Sequence, residues 1–169
     1  MELTKRIEGT RQFGNEFLTW LMFRSLLNEG QIDCEVGRIE LWIEDRLTLV
    51  APFAGREMNI LKGESPAQGE EAGVALRMGK QLDNARISIS WQGKRWDFQF
   101  SAPNFAFSSV KVPAVLTDTE FEAVVDRFDL LGTLEEIMRS LYHEFLNLRT
   151  DDGRWQVERS RIEKWLQQR

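Results

Sequence analysis

Apolar positions first recur at helical spacing between Thr10 and Asn28, where Phe13, Phe17, Trp20, Leu21 and Leu27 fall near one face and Gly30 follows the end. Residues 30–37 read as a loop. The period then changes to two: Ile39, Leu41 and Ile43 share one face, while Arg38, Glu40 and Glu44 share the other with Trp42. Leu47 and Leu49 resume the alternation after Glu44-Asp45, which predicts a β-hairpin over 38–51. Met58 and Ile60 predict a third strand at 57–62.

Ser65-Pro66-Ala67-Gln68 has capping-box spacing with proline at the first helical position, so a helix is expected to follow and to stop near Gly79. Residues 81–91 alternate, with Ala85, Ile87, Ile89 and Trp91 on one face. Gln92-Gly93 makes a turn, and Trp96, Phe98 and Phe100 alternate on the return; Phe105, Phe107 and Ser109 suggest one more strand. Beyond Pro113 the period is helical. Thr117 with Glu120 forms a second capping box ahead of Phe121, Val124, Val125 and Phe128. Gly132 interrupts, Thr133 with Glu136 forms a third box, and Leu134, Ile137, Met138, Leu141, Phe145 and Leu148 make a continuous stripe. After the turn Asp151-Asp152-Gly153, Trp155, Ile162 and Trp165 mark a short amphipathic helix. The order αβββαβββααα indicates an α+β fold, an antiparallel sheet of five to six strands with flanking helices on one face. Residues 1–149 form a single domain in this reading, and 150–169 a helical appendage.

Length and composition change little: 169 residues, 42% hydrophobic and 29% charged, suit one domain with a real core. No window is apolar enough to span a membrane, and the N-terminus has no signal-peptide pattern. The single Cys34 excludes an internal disulfide and suits the reducing cytoplasm. The net charge of −5 argues against indiscriminate coating of nucleic acid, yet residues 55–115 carry 8 basic against 6 acidic groups while both flanks are acidic.

Candidate chemistry is sparse. One histidine, His143, and one cysteine cannot assemble a zinc set, and nothing near Cys34 lowers its pKa for a Cys–His dyad. Glu40, Glu44 and Asp45 would be the carboxylates of a divalent-metal nuclease, although the hairpin reading turns Glu40 and Glu44 toward water. Gly79-Lys80 and Gly93-Lys94 lack phosphate-loop spacing, and Gly-x-Ser-x-Gly is absent. The expectation is a protein with no catalysis and no cofactor.

Lys62, Arg77, Lys80, Arg86, Lys94, Arg95 and Lys111 all lie in the segment with positive excess. If the element ends that carry them meet at one rim, they make a phosphate-tracking ridge; otherwise they are solvated turn and helix-end charges. Trp20, Trp91 and Trp96 fall on apolar faces and read as core. Trp42, among charges, reads as an exposed contact for another protein. The stripe holding Leu134, Met138, Leu141 and Phe145 is a second candidate for a subunit interface.

Several stretches resemble the C-terminal half of RdgC, the bacterial recombination-associated DNA-binding family. These are Phe17-Leu18-Thr19-Trp20-Leu21, residues 40–47 (ELWIEDRL), Glu70-Glu71 followed by 75–82 (ALRMGKQL), and the stretch from Phe121 to Leu148 with Arg127-Phe128-Asp129 and Gly132-Thr133-Leu134. Together they cover about residues 13–148. The resemblance implies a non-catalytic, sequence-independent DNA-binding role linked to recombination or replication, with RecA access as a point of control. It carries Lys62 and Lys80 over as DNA-contacting lysines. The family's N-terminal half has no counterpart in these residues and 150–169 has none in the family. That puts a two-subunit ring of the family's kind in doubt and leaves another homo-oligomer open. Two other readings stand beside it, a protein-interaction module without DNA binding and the metal nuclease.

Overall fold

The computed structural model describes residues 2–51 and 57–168, with side chains from Phe13 onward. The opening helix α1 runs Glu2–Leu27. Strand β1 (Gln31–Cys34) follows, then β2 (Gly37–Val50), β3 (Met58–Lys62), a 3-10 turn at Pro66–Gln68 and helix α2 (Glu70–Arg77). Strands β4 (Gln81–Trp91), β5 (Lys94–Ser101) and β6 (Ala106–Lys111) complete the sheet, and helices α3 (Glu120–Arg149) and α4 (Asp152–Gln167) end the described chain.

All six strands form one antiparallel sheet in the order β1-β2-β4-β5-β6, with β3 on the same side of β2 as β1. The α+β reading therefore holds. Its inward positions are those the alternation marks: Ile39, Leu41, Ile43, Leu47 and Leu49 from β2, Ala85, Ile87 and Ile89 from β4, and Trp96, Phe98 and Phe100 from β5 are all buried. Phe17 and Trp20 of α1 and Phe145 of α3 complete this core, with ring centroids 5.6 Å apart for both Phe17–Phe145 and Trp20–Phe145. No helix of the described residues is long and apolar enough to cross a membrane.

Local details differ from the sequence reading. Residues 31–34 are a strand rather than loop, because Gly37 and its neighbours turn β1 back onto β2. The expected hairpin over 38–51 is instead a single strand of 14 residues, β2. Strict alternation through 43–47 would push Asp45 into the core between Ile43 and Leu47. A bulge between Ile43 and Leu47, against β4, leaves Asp45 exposed instead. The Ser65 side chain caps nothing, since Ser65 sits in the left-handed region (φ 51°) and Gly69 is the N-cap of α2.

Gly132 does not interrupt the late helix, so α3 is a single helix where two were expected. It is capped by Thr119, whose Oγ1 accepts from the Glu122 amide at 3.2 Å. A helical glycine costs only about 1 kcal/mol, less than the buried stripe of Leu134, Ile137, Met138, Leu141 and Phe145 returns. The segment read as an appendage docks on the core. Phe23 meets Trp165 at 5.6 Å, and the buried Glu158 carboxylate accepts from Trp20 and Arg24 of α1.

Candidate nucleic-acid interface

Among the described residues the helices pack on one side of the sheet, and its other face has no helical cover. Residues out of phase with the core point there: Arg46 and Thr48 from β2, Ile60 and Lys62 from β3, Arg86 from β4, and Arg95, Asp97 and Gln99 from β5. Most of its charges are paired locally. Arg95 reaches Asp97 at 2.9 Å and Glu44 at 3.1 Å, and Arg86 reaches Asp45 at 3.9 Å. The hydrogen bond to Asp97 holds the Arg95 guanidinium above its ordinary pKa. At the β1–β2 edge, the hydrogen bond from Arg38 holds the Asp33 carboxyl below its ordinary value.

One pair breaks this pattern. Arg46 and Lys62 are direct partners in the β2–β3 register, both exposed, and among the described residues neither side chain has a hydrogen-bond or ion-pair partner. Like charges directly opposite on neighbouring strands repel at a Cβ separation of about 5 Å. The bulge sits next to them, and the Gly63 amide donates to the Asp45 carbonyl at 3.0 Å, closing the ladder beside the two cations. Two cations on directly opposed strand positions, neither paired with a carboxylate, suit phosphate oxygens.

The basic residues of the expected ridge do not meet at one rim. Lys62 lies at the β3 edge and Lys111 on β6, at the opposite edge. Lys94 and Arg95 lie at the β4–β5 turn, and Lys80 lies at the other end of β4. The side chain of Lys80 is only 12% exposed, and its Nζ donates to Asn59 Oδ1 at 2.6 Å with Glu57 at 3.7 Å. Arg77 donates to the Leu166 carbonyl at 3.2 Å and so ties α2 to α4. Lys80 and Arg77 thus serve the fold, and the expected ridge is replaced by the single focus at Arg46 and Lys62. Arg46 stands outside the segment with positive excess, and only strand pairing brings it to Lys62.

The residues expected at a subunit interface are taken up within the chain. Trp42 is half-buried rather than exposed: its Nε1 donates to Glu40 Oε1 at 2.7 Å, and its ring covers Gly30. Leu134, Met138, Leu141 and Phe145 are at most 2% exposed and belong to the chain's own core, since the sheet takes up the face that was read as free. The carboxylates of the nuclease reading are each engaged, Glu40 by Trp42, Glu44 by Arg95 and Asp45 by Arg86. No group of three His, Cys, Asp or Glu among the described residues is placed to hold a metal ion. Cys34 Sγ contacts the Gly37 carbonyl, and His143 lies 3.9 Å from Glu35. No protein-family model matches the chain. No curated protein matches it either.

Proposed function

We propose that the chain is a non-catalytic protein that binds DNA without regard to base sequence, through the helix-free face of its sheet. The observation that carries this reading is the Arg46–Lys62 pair, two exposed cations set opposite one another with no neutralising carboxylate. Repulsion across a ladder costs stability, and an anion bridging the two would relieve it. Phosphate is the anion that a protein resembling a recombination-associated DNA-binding family would meet. Contacts of this kind position a duplex and carry no base information.

The test is a titration of duplex DNA at several salt concentrations. Each phosphate contact contributes about 0.9 to the slope of log K against log salt, so Arg46→Ala/Lys62→Ala should flatten it by about 2. Lys80→Ala should leave it unchanged, because that ammonium is already held by Asn59 and Glu57. A double variant with an unaltered slope overturns this placement of the site.

A second reading, a protein-interaction module without DNA binding, is favoured by the exposed apolar residues at the start of α3, Phe121 and Phe128 above all. Assembly that depends on concentration, with no binding of duplex at any salt, would select it.

A further inference from the structure

Helix α3 has two halves of different character. From Leu130 onward its apolar side packs on the sheet, and the Trp96 indole donates to the Leu130 carbonyl at 2.9 Å where the helix meets the body. Before that point no residue from Glu120 to Asp129 is buried. This arm is nevertheless apolar along one side: Phe121 is 78% exposed, Phe128 69%, and Val124, Val125 and Leu131 are exposed with them. Ten helical residues without a packed face are marginal in water, and a contiguous apolar patch of this kind marks a contact surface.

The same side of the helix leads directly into a groove. At 3.6 residues per turn, 121, 124, 128, 131, 135, 138 and 142 share one face. The last four line a groove of about 520 Å³ between α3 and edge strand β6, whose far wall is Phe105, Phe107 and Val110. Knob and hole therefore lie end to end on one helix face.

We propose that a second copy of this chain fills the groove, the two α3 arms pairing antiparallel about a two-fold axis between Asp129 and Leu130. A single rotation then seats each arm in the other's groove, as an isologous interface requires. Counting outward from that axis brings Phe121 to the partner copy's position 138, Phe128 to 131, and Glu120 to 139. The charges agree with this alignment. The arm carries Glu120, Glu122, Asp126 and Asp129 against Arg127 alone, while the groove lining offers Arg139, with Glu135 one turn before it. Arg139 already holds Glu135 at 2.9 Å but remains exposed, with further N–H donors for a second carboxylate. The area is of the right order. Two phenylalanines of 150–250 Å² each, about three-quarters exposed, contribute roughly 300 Å² per copy. The valines, Leu131 and the groove walls carry the total toward the roughly 800 Å² per partner of a standard interface.

The experiment is light scattering on the full chain at tens of micromolar, joined to a cross-link. The expected result is a dimer, weakened roughly 30-fold or more in Phe128→Glu, a substitution at an exposed site that leaves the core untouched. In Cys34→Ser/Val124→Cys/Glu135→Cys, at two exposed positions that the alignment brings together, the new thiols stand about 17 Å apart along one helix and cannot join within a chain. Oxidation should therefore yield covalent dimers. Charge exchange separates this partner from an unrelated protein: Glu120→Arg should weaken the dimer, and adding Arg139→Glu should restore it. A monomeric wild-type chain, or a dimer that survives Phe128→Glu, overturns the proposal. Failure of the paired charge exchange to restore what Glu120→Arg removes overturns the antiparallel alignment.

Discussion

The indole Nε1 of Trp20 donates to Oε1 of Glu158 at 3.0 Å, joining the first and last helices across 138 positions of chain. The carboxylate is 3% exposed as a residue and also accepts from Arg24 at 3.3 Å and Arg161 at 3.0 Å. It satisfies a buried indole and takes up the charge of two guanidiniums, so it fastens α4 onto α1. Glu158→Ala should cost about 2–4 kcal/mol, because it strands the Trp20 donor and leaves Arg24 without its carboxylate. Glu158→Gln keeps an acceptor for the indole and should cost less. Chemical denaturation orders the three proteins; equal midpoints for Ala and wild type would show that α4 is not held here.

Gly30 is tied to Trp42. Its φ of +82° is left-handed, and a Cβ added there would lie 2.5 Å from Trp42 Cε2. Gly30→Ala should destabilise by about 2–4 kcal/mol, combining the backbone penalty with overpacking against the ring. Tryptophan fluorescence followed through urea unfolding measures it. A further change of Trp42→Ala should recover the overpacking part and leave the backbone part.

The chain has one tyrosine, Tyr142, whose ring stands 4.5 Å from Phe105 and whose hydroxyl pKa is raised above the ordinary 10.0 by burial. A pKa raised in the folded state means that folding holds the proton more tightly. The stability this represents is whole below pH 10, the unfolded value, and is lost as pH rises through the folded one. Absorbance of tyrosinate should titrate later in the folded protein than in urea. The decline in melting temperature above that pH should be smaller in Tyr142→Phe. Identical folded and unfolded titrations would contradict the burial argument.

Relieving the Arg46–Lys62 repulsion should separate stability from binding. Lys62→Glu converts a like pair into an opposite pair across the ladder, which should stabilise the free protein by about 0.5 kcal/mol. The same change should weaken duplex binding more than Lys62→Ala does. Thermal melts and DNA titrations on the same samples check both signs; a variant that loses stability would show that the two side chains are not opposed in solution.

Much of the fold is legible in single residues. Ile87 and Ile89 against Ser88 and Ser90, or Trp96, Phe98 and Phe100 against Asp97 and Gln99, declare strand and core face at once, because a period of two survives any register. Element ends were read less well. Asp45 looks like a turn in sequence, yet a bulge removes it from the core just as effectively, and the choice depends on β4 lying alongside. Gly132 looks like a break, yet the sheet beneath the residues after it holds the helix together.

The candidate site was legible only in part, for the same reason. Sequence by itself determined the α+β class, the inward faces of β2, β4 and β5, the turn at Gln92-Gly93 and the amphipathic last helix. All of these follow from local periodicity and turn chemistry. Tertiary structure decided what those faces meet. It spent the Leu134–Phe145 stripe on the core and left the Phe121–Phe128 stripe in water, although both have the same spacing. It gave Lys80 to Asn59 and Glu57, and set Arg46 opposite Lys62 across 16 positions of chain. Pairing between strands and the choice of which helix face is covered are long-range events, and no periodicity along the chain encodes which distant residue will arrive.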